Sequence, residues 1–404
     1  MFDGFQLDRV DVGDVTLRVR YGGEGEPVVL LHGHPRTHTT WHRVAPQLSS
    51  SFFVVCPDLR GYGQSTLPPD APGHAQSAKR AMAGDVVALM RHLGHDRFSV
   101  VGHDRGALVA FRTAMDHPDA VQRLVIMDGL PVIEHLERLN EAFVRTWWHW
   151  WFLGQTDKPA EAFINADPGR WYQTPPPAQI GQDNHADVWA AFGDPAVVHG
   201  MCEDYRAGLR VDRAHEEADR AAGRKIQCPM LLLVSTDDDL DIHGDPEAIW
   251  RPWTAGELRS LPIHSGHHQA EQAPDELASA LLGFLGNPAP HPAAHCELRG
   301  FGVEGRLPAG HRGGGLAAGP GPVRTVPVQV AEQVLLGEPA RVQVVKVEAG
   351  ELRAEALAQV GLGSVGDPPQ VAQRTAGLGG DLRQLMGAEY DQREHRQDQQ
   401  FGQG

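Results

Sequence analysis

The residues Gly102-His103-Asp104-Arg105-Gly106 set one carboxylate between two glycines, a spacing that can support covalent chemistry. The apolar run Phe98 to Val101 reads as a buried strand, and the periodic stretch Ala107 to Met115 reads as a helix. A Gly-x-Asp-x-Gly joint between them implies a sharp turn with Asp104 at its apex. The glycines stand where a Cβ would meet neighbouring backbone. A carboxylate so placed can attack saturated carbon by displacement, leaving an alkyl ester that water must then cleave. The following helix N-terminus favours the ionised form. Ester cleavage needs a base, and Ser265-Gly266-His267-His268 follows the last apolar strand. A neutral imidazole there can take the proton of the attacking water. A carboxylate that orients this imidazole can come from Asp128, or from Asp237, Asp238 or Asp239.

These groups need a frame that brings distant stretches together. Residues 5–21 alternate apolar and polar and predict two antiparallel edge strands. Pro27–Leu31, Phe52–Cys56, Leu124–Met127 and Met230–Val234 are continuous apolar runs of the kind buried on both faces. Helical patterns alternate with them, one opened by Ser77 and ended by Gly94, and another spanning Pro274 to Leu285. The alternation predicts an α/β fold with a mostly parallel sheet flanked by helices. From Pro131 to Arg224 the rhythm changes to aromatic, helical sequence rich in Trp, which predicts a helical cap inserted over the sheet. The expected organisation is core at 1–130, cap at 131–225, core again at 226–287, and a tail at 288–404. All nine Trp precede the tail, no Ile follows Ile263, and Lys346 is the only later Lys. The tail reads as low-complexity and largely disordered, with a read-through or frame-shifted origin as the sharper hypothesis.

A formal charge of −16 over 404 residues argues against a general nucleic-acid surface. The four cysteines (Cys56, Cys202, Cys228, Cys296) form no CxxC pair, and the histidines show no HExxH spacing, so neither a metal nor a cofactor is expected. No membrane-length apolar run or signal peptide is seen, so a cytoplasmic location is expected. The expected partners are a small-molecule substrate and water, with a homodimer left open.

The stretches HGHPRTHTTWHRVAP, DLRGYGQS, VVGHDRG, MDHPDAV, HWWF, CEDYRAG and SGHHQAEQAP occur in order between Phe5 and Leu285. Together they resemble the α/β-hydrolase branch of haloacetate dehalogenases and epoxide hydrolases. The resemblance implies Asp104 as nucleophile, His267 rather than His268 as base, and Asp128 as the orienting acid. It implies the backbone N–H groups of His34 and Arg105 as oxyanion donors, with His32 supporting the loop. Arg105 would hold a substrate carboxylate through its planar fork, while His149, Trp150 and Tyr205 would donate to a departing halide. The second arginine of haloacetate dehalogenases is replaced by Leu108, a loss of about 1.5–3 kcal/mol of carboxylate binding. Arg112 lies one turn farther on. The reading is thus a cofactor-free hydrolase acting on a 2-halo acid or haloalkane. The alternatives are an epoxide hydrolase, with Tyr205 as acid and Tyr172 as the nearest second tyrosine, and a silent ligand-binding relative.

Overall fold

The computed structural model describes residues 1–157 and 159–286, and the tail expected at 288–404 lies outside the described residues. Eight strands form one sheet in the order β1-β2-β4-β3-β5-β6-β7-β8. They are β1 (Gln6–Asp11), β2 (Thr16–Gly22), β3 (Glu26–Leu31), β4 (Phe52–Pro57), β5 (Phe98–His103), β6 (Val121–Met127), β7 (Met230–Ser235) and β8 (Leu258–Ile263). The alternating edge pair, β1 and β2, is antiparallel, and β3 to β8 run parallel to one another.

The continuous apolar runs have a direct physical cause. In β3, Val29 and Leu31 face one core while Val28 and Leu30 face the other, and Val100 and Val101 of β5 divide the same way. A strand covered on both faces cannot alternate apolar with polar. The helices Lys79–His92 and Arg105–Asp116 cover the first face, and Pro274–Leu285 covers the second. Parallel strands place all their carboxyl ends on one sheet edge, where ligands bind in this kind of fold. Gly33, Asp104, Asp128, Asp238 and His267 all follow such ends.

The predicted cap by Ser77 does not form. The helix begins at Lys79, and Ser77 Oγ is buried without a partner. Its first free N–H, that of Lys79, is instead accepted by Asp212 Oδ1 at 2.8 Å, a cap from far along the chain.

Between β6 and β7 the described residues form helices, from Val132–Glu137 to Arg213–Ala221. Polar contacts fasten this insertion to the core. Asn184 donates to Glu271 at 2.9 Å and accepts from Thr39 at 2.8 Å. Asp187 accepts from Arg18 and from Thr37, each at 2.7 Å. Trp147 and Trp150 are buried, but Trp148 is 40% exposed and packs against Phe152 and Trp171 of its own layer.

Candidate active site

Asp104 connects β5 directly to the helix Arg105–Asp116, with φ 51° and ψ −116°. Such a backbone costs of order 1–3 kcal/mol and persists only where its surroundings enforce it. They do so here by close approach. A Cβ on Gly102 would lie 2.2 Å from the Gly106 carbonyl oxygen, and one on Gly33 would lie 2.5 Å from Asp104 Cβ.

The carboxylate is held by backbone. The His34 N–H donates to Asp104 Oδ1 at 2.7 Å, and the Arg105 N–H adds a second bond. Burial pushes the Asp104 carboxyl upward, but the charges of His267, His103 and Arg105 and the Arg105 N–H bring it below its ordinary range. The Asp104 carboxylate is therefore ionised at neutral pH. The His34 ring is more than a bystander to its backbone. It packs edge-on to Tyr205, with centroids 5.2 Å apart, and burial lowers it to about 3, so it is neutral. His32 supports the loop as expected, accepting from Leu59 N–H at 3.0 Å and donating to the Gly33 carbonyl.

His267 Nδ1 is hydrogen-bonded to Asp238 Oδ2 at 2.8 Å, and its Nε2 lies 3.9 Å from Asp104 Oδ2. The second distance is too long for a hydrogen bond, and it leaves Nε2 facing the Asp104 carboxylate. Burial lowers the imidazole, yet Asp238 first, then Asp104 and Asp128, raise it to about 10. His268 is half-buried, and its Nδ1 is buried without a partner.

The expectation that Asp128 orients the imidazole is corrected by this geometry. Asp128 accepts from the Ser235 N–H at 2.8 Å, the Ser235 hydroxyl at 2.5 Å and Gln269 Nε2 at 2.8 Å. Its oxygens are thus committed to neutral donors, while Asp238, on the loop after β7, reaches Nδ1. Burial, with repulsion from Asp238, pushes Asp128 up to about 6 despite His267.

Arg105 also departs from expectation. Its Nε donates to Asp204 Oδ2 at 3.1 Å, and its Nη2 donates to Asp204 Oδ1 and to the Asp204 carbonyl, both at 2.9 Å. The fork expected to hold a substrate already holds a protein carboxylate. Only Nη1 is left, buried and without a partner. The guanidinium lies 4.3 Å over the Tyr205 ring and 5.4 Å from that of Trp150. Arg112 turns away to Asp219 and Asp116.

His149 and Tyr205 meet edge-on at 5.8 Å, and Trp150 and Tyr205 at 6.0 Å, so the three expected donors form one group. Burial holds the Tyr205 hydroxyl protonated and lowers His149 to about 4, leaving a neutral N–H donor. Tyr172 joins them, 5.7 Å from the His34 ring.

Sequence reasoning missed His103, whose Nε2 donates to the His267 carbonyl at 2.6 Å and braces that residue from the end of β5. Its signal was a polar side chain ending an otherwise apolar run. It also missed Gln269 and Asp204, the latter one residue before Tyr205. Two groupings gather His and carboxylate atoms within 4.8 Å of one another: His103, Asp128 and His267, and Asp70, His199 and Glu203. Hydrogen bonds within the protein already occupy both, including His199 Nε2 to Asp70 at 2.8 Å.

The family model for the alpha/beta hydrolase fold matches residues 26–274. The chain belongs to the α/β-hydrolase superfamily. Within it, this hydrolase falls in the branch holding dehalogenases and epoxide hydrolases. It is 39% identical over 297 residues to a fluoroacetate dehalogenase from Burkholderia sp., a match covering 70% of this chain and 95% of that one. It is 30% identical over 272 residues to a soluble epoxide hydrolase from Corynebacterium sp. strain C12, covering 65% and 91%. A candidate α/β-hydrolase from Nostoc sp. PCC 7120 superposes with a TM-score of 0.69 at 37% identity, covering 71% of the hydrolase and all (100%) of that chain. Asp104, Asp238 and His267 occur in that chain order, and the superfamily's order is nucleophile, acid, histidine.

Proposed function

We propose that this hydrolase displaces halide from a small 2-halo carbonyl compound or haloalkane through an ester on Asp104. Asp104 Oδ2 attacks the halogen-bearing carbon, and the carbon–halogen bond breaks with its electron pair leaving as halide. His149, Trp150 and Tyr205 offer N–H and O–H donors to that ion. Water then attacks the ester carbonyl and His267 Nε2 takes its proton. The His34 and Arg105 backbone N–H groups hold the oxyanion, and collapse releases the alcohol and restores the carboxylate. The observation that carries the reading is the pairing of a pinned carboxylate oxygen, Asp104 Oδ1 on His34 N–H at 2.7 Å, with His267 Nε2 at 3.9 Å from its other oxygen.

Epoxide opening is the second reading. Tyr205 and Tyr172 both flank the His34 ring, at 5.2 and 5.7 Å, where a protonated phenol could donate to an epoxide oxygen. One experiment separates the two. His267→Ala should stop at the ester, so mass spectrometry after exposure to chloroacetate, chloroacetamide or styrene oxide reports which carbon Asp104 attacks. No adduct from any of them would leave the ligand-binding reading. A cytoplasmic setting belongs to the same proposal, supported by the free thiols of Cys56, Cys202 and Cys228; cell fractionation tests it. A homodimer is supported by the exposed aromatics Trp148, Phe163 and Trp189 on the insertion, and sedimentation would decide it.

A further inference from the structure

We infer that the substrate is a neutral 2-halo carbonyl compound, such as a haloacetamide, whose carbonyl oxygen accepts from Arg105 Nη1, and that Asp204 sets this preference. The inference rests on the displacement reading above and narrows its substrate class.

Three observations carry it. First, Asp204 takes both Nε and Nη2 of Arg105, at 3.1 and 2.9 Å, in the side-on geometry a substrate carboxylate would need. Asp204 is itself fully buried and fixed by further donors, Tyr62 Oη at 2.6 Å and the Lys79 ammonium. It is not a loose counter-ion that a substrate could displace. Second, Nη1 is a buried donor without a partner, and Arg105 is 1% exposed. A buried unsatisfied N–H invites an acceptor, and the group that bears it lies against Tyr205 and Trp150; Tyr205 in turn packs on His34, whose N–H holds Asp104. One free donor suits one carbonyl oxygen. Third, every cation here already faces a carboxylate of the protein. Arg105 and Lys79 face Asp204 and Asp212, with Lys79 Nζ 3.8 Å from Asp212, and His267 faces Asp104 and Asp238. A substrate carboxylate would add a buried negative charge next to Asp104 with no free cation to meet it. Leu108, one turn along the same helix and buried, supplies none.

The reaction is balanced without a co-reactant. Asp104 Oδ2 forms a bond to C2 as chloride leaves with the C–Cl electron pair. Water then cleaves the ester, giving 2-hydroxyacetamide and a proton taken by His267.

The test compares chloride release from chloroacetamide and from chloroacetate by the full-length wild-type chain, with the adduct on His267→Ala mapped to the peptide holding Asp104. A kcat/KM for chloroacetamide at least tenfold above that for chloroacetate is expected. Equal values, or a preference for chloroacetate, overturn the inference while leaving displacement intact. An Asp104 ester from neither compound overturns displacement and the inference together. Asp204→Asn, which frees the fork without changing side-chain shape, should move the ratio toward chloroacetate by tenfold or more. Leu108→Arg adds a cation without disturbing Asp204 and should shift it the same way. An unchanged ratio in Asp204→Asn removes Asp204 as the specificity determinant, and an unchanged ratio in Leu108→Arg overturns the argument that a missing cation excludes the carboxylate.

Discussion

In the proposed reaction, His267 is the residue whose charge must change during turnover. In the resting site its imidazole is raised from 6.5 to about 10, burial being outweighed by Asp238, Asp104 and Asp128. A protonated imidazole cannot act as base. Alkylation of Asp104 erases one of the charges that hold the proton, so forming the ester prepares the base that cleaves it. Single-turnover ester hydrolysis should therefore rise with pH through an apparent pKa below that of the free enzyme, as rapid-quench mass spectrometry can follow. The same shift has a consequence for stability. The folded chain binds this proton more tightly than the unfolded one, so the contribution is whole below about pH 6.5 and is lost as pH climbs toward about 10. Melting temperature should fall more steeply over that window in wild type than in His267→Gln; parallel curves would contradict it. The two carboxylates near His267 are separable too. Asp238→Asn removes the negative charge that faces Nδ1 and should slow ester hydrolysis about 10³-fold or more. Asp128→Asn, whose bonds run to Ser235 and Gln269, should slow it less than about tenfold. The reverse order would return the acid role to Asp128.

At the scale of elements, the turn between β5 and its helix is built without slack. Gly102→Ala would set a Cβ 2.2 Å from the Gly106 carbonyl oxygen and should lower stability by about 3 kcal/mol in urea titration. A loss under about 1 kcal/mol would mean the turn yields. This turn, the edge hairpin and the bounds of the last helix were legible because each is specified locally, by apolar period, glycine spacing or Pro274 at a helix start. The choice among Asp128, Asp237, Asp238 and Asp239 was not. It depends on how the loop after β7 folds back, and adjacent aspartates look alike in sequence. The pairing of Arg105 with Asp204 crosses 99 positions, and Asp212 capping the helix of Lys79 crosses 133. Such contacts exist only once the insertion has docked, so propensity and spacing are silent about them.

Across the whole molecule, the insertion is held by a few buried polar staples, and these are its weak points as well as its fastenings. Asp187→Ala would remove two bonds of 2.7 Å, leaving Thr37 to Thr39 and Arg18 to Asp58 at 3.6 Å. Stability should drop by about 2 kcal/mol, and hydrogen exchange should rise first in helix Gln182–Phe192; uniform exchange would show that the two layers open together. The strands and their covering helices are complete by residue 286, and the compositional break follows Asn287. A chain ending there should keep the melting temperature and halide release of the full chain; a marked loss would give the tail a structural part in the enzyme.

The grip of His34 on Asp104 Oδ1 also fixes the bookkeeping of oxygen atoms. Oδ1 stays in place as the ester carbonyl, so only Oδ2 departs with the product, and the oxygen of the attacking water replaces it. In heavy-oxygen water the first alcohol released should carry an ordinary oxygen drawn from the protein, and the second should carry the heavy one. A carboxylate free to flip would give a mixture in the second turnover, so isotope counting over two cycles reads out how firmly one backbone N–H holds its oxygen.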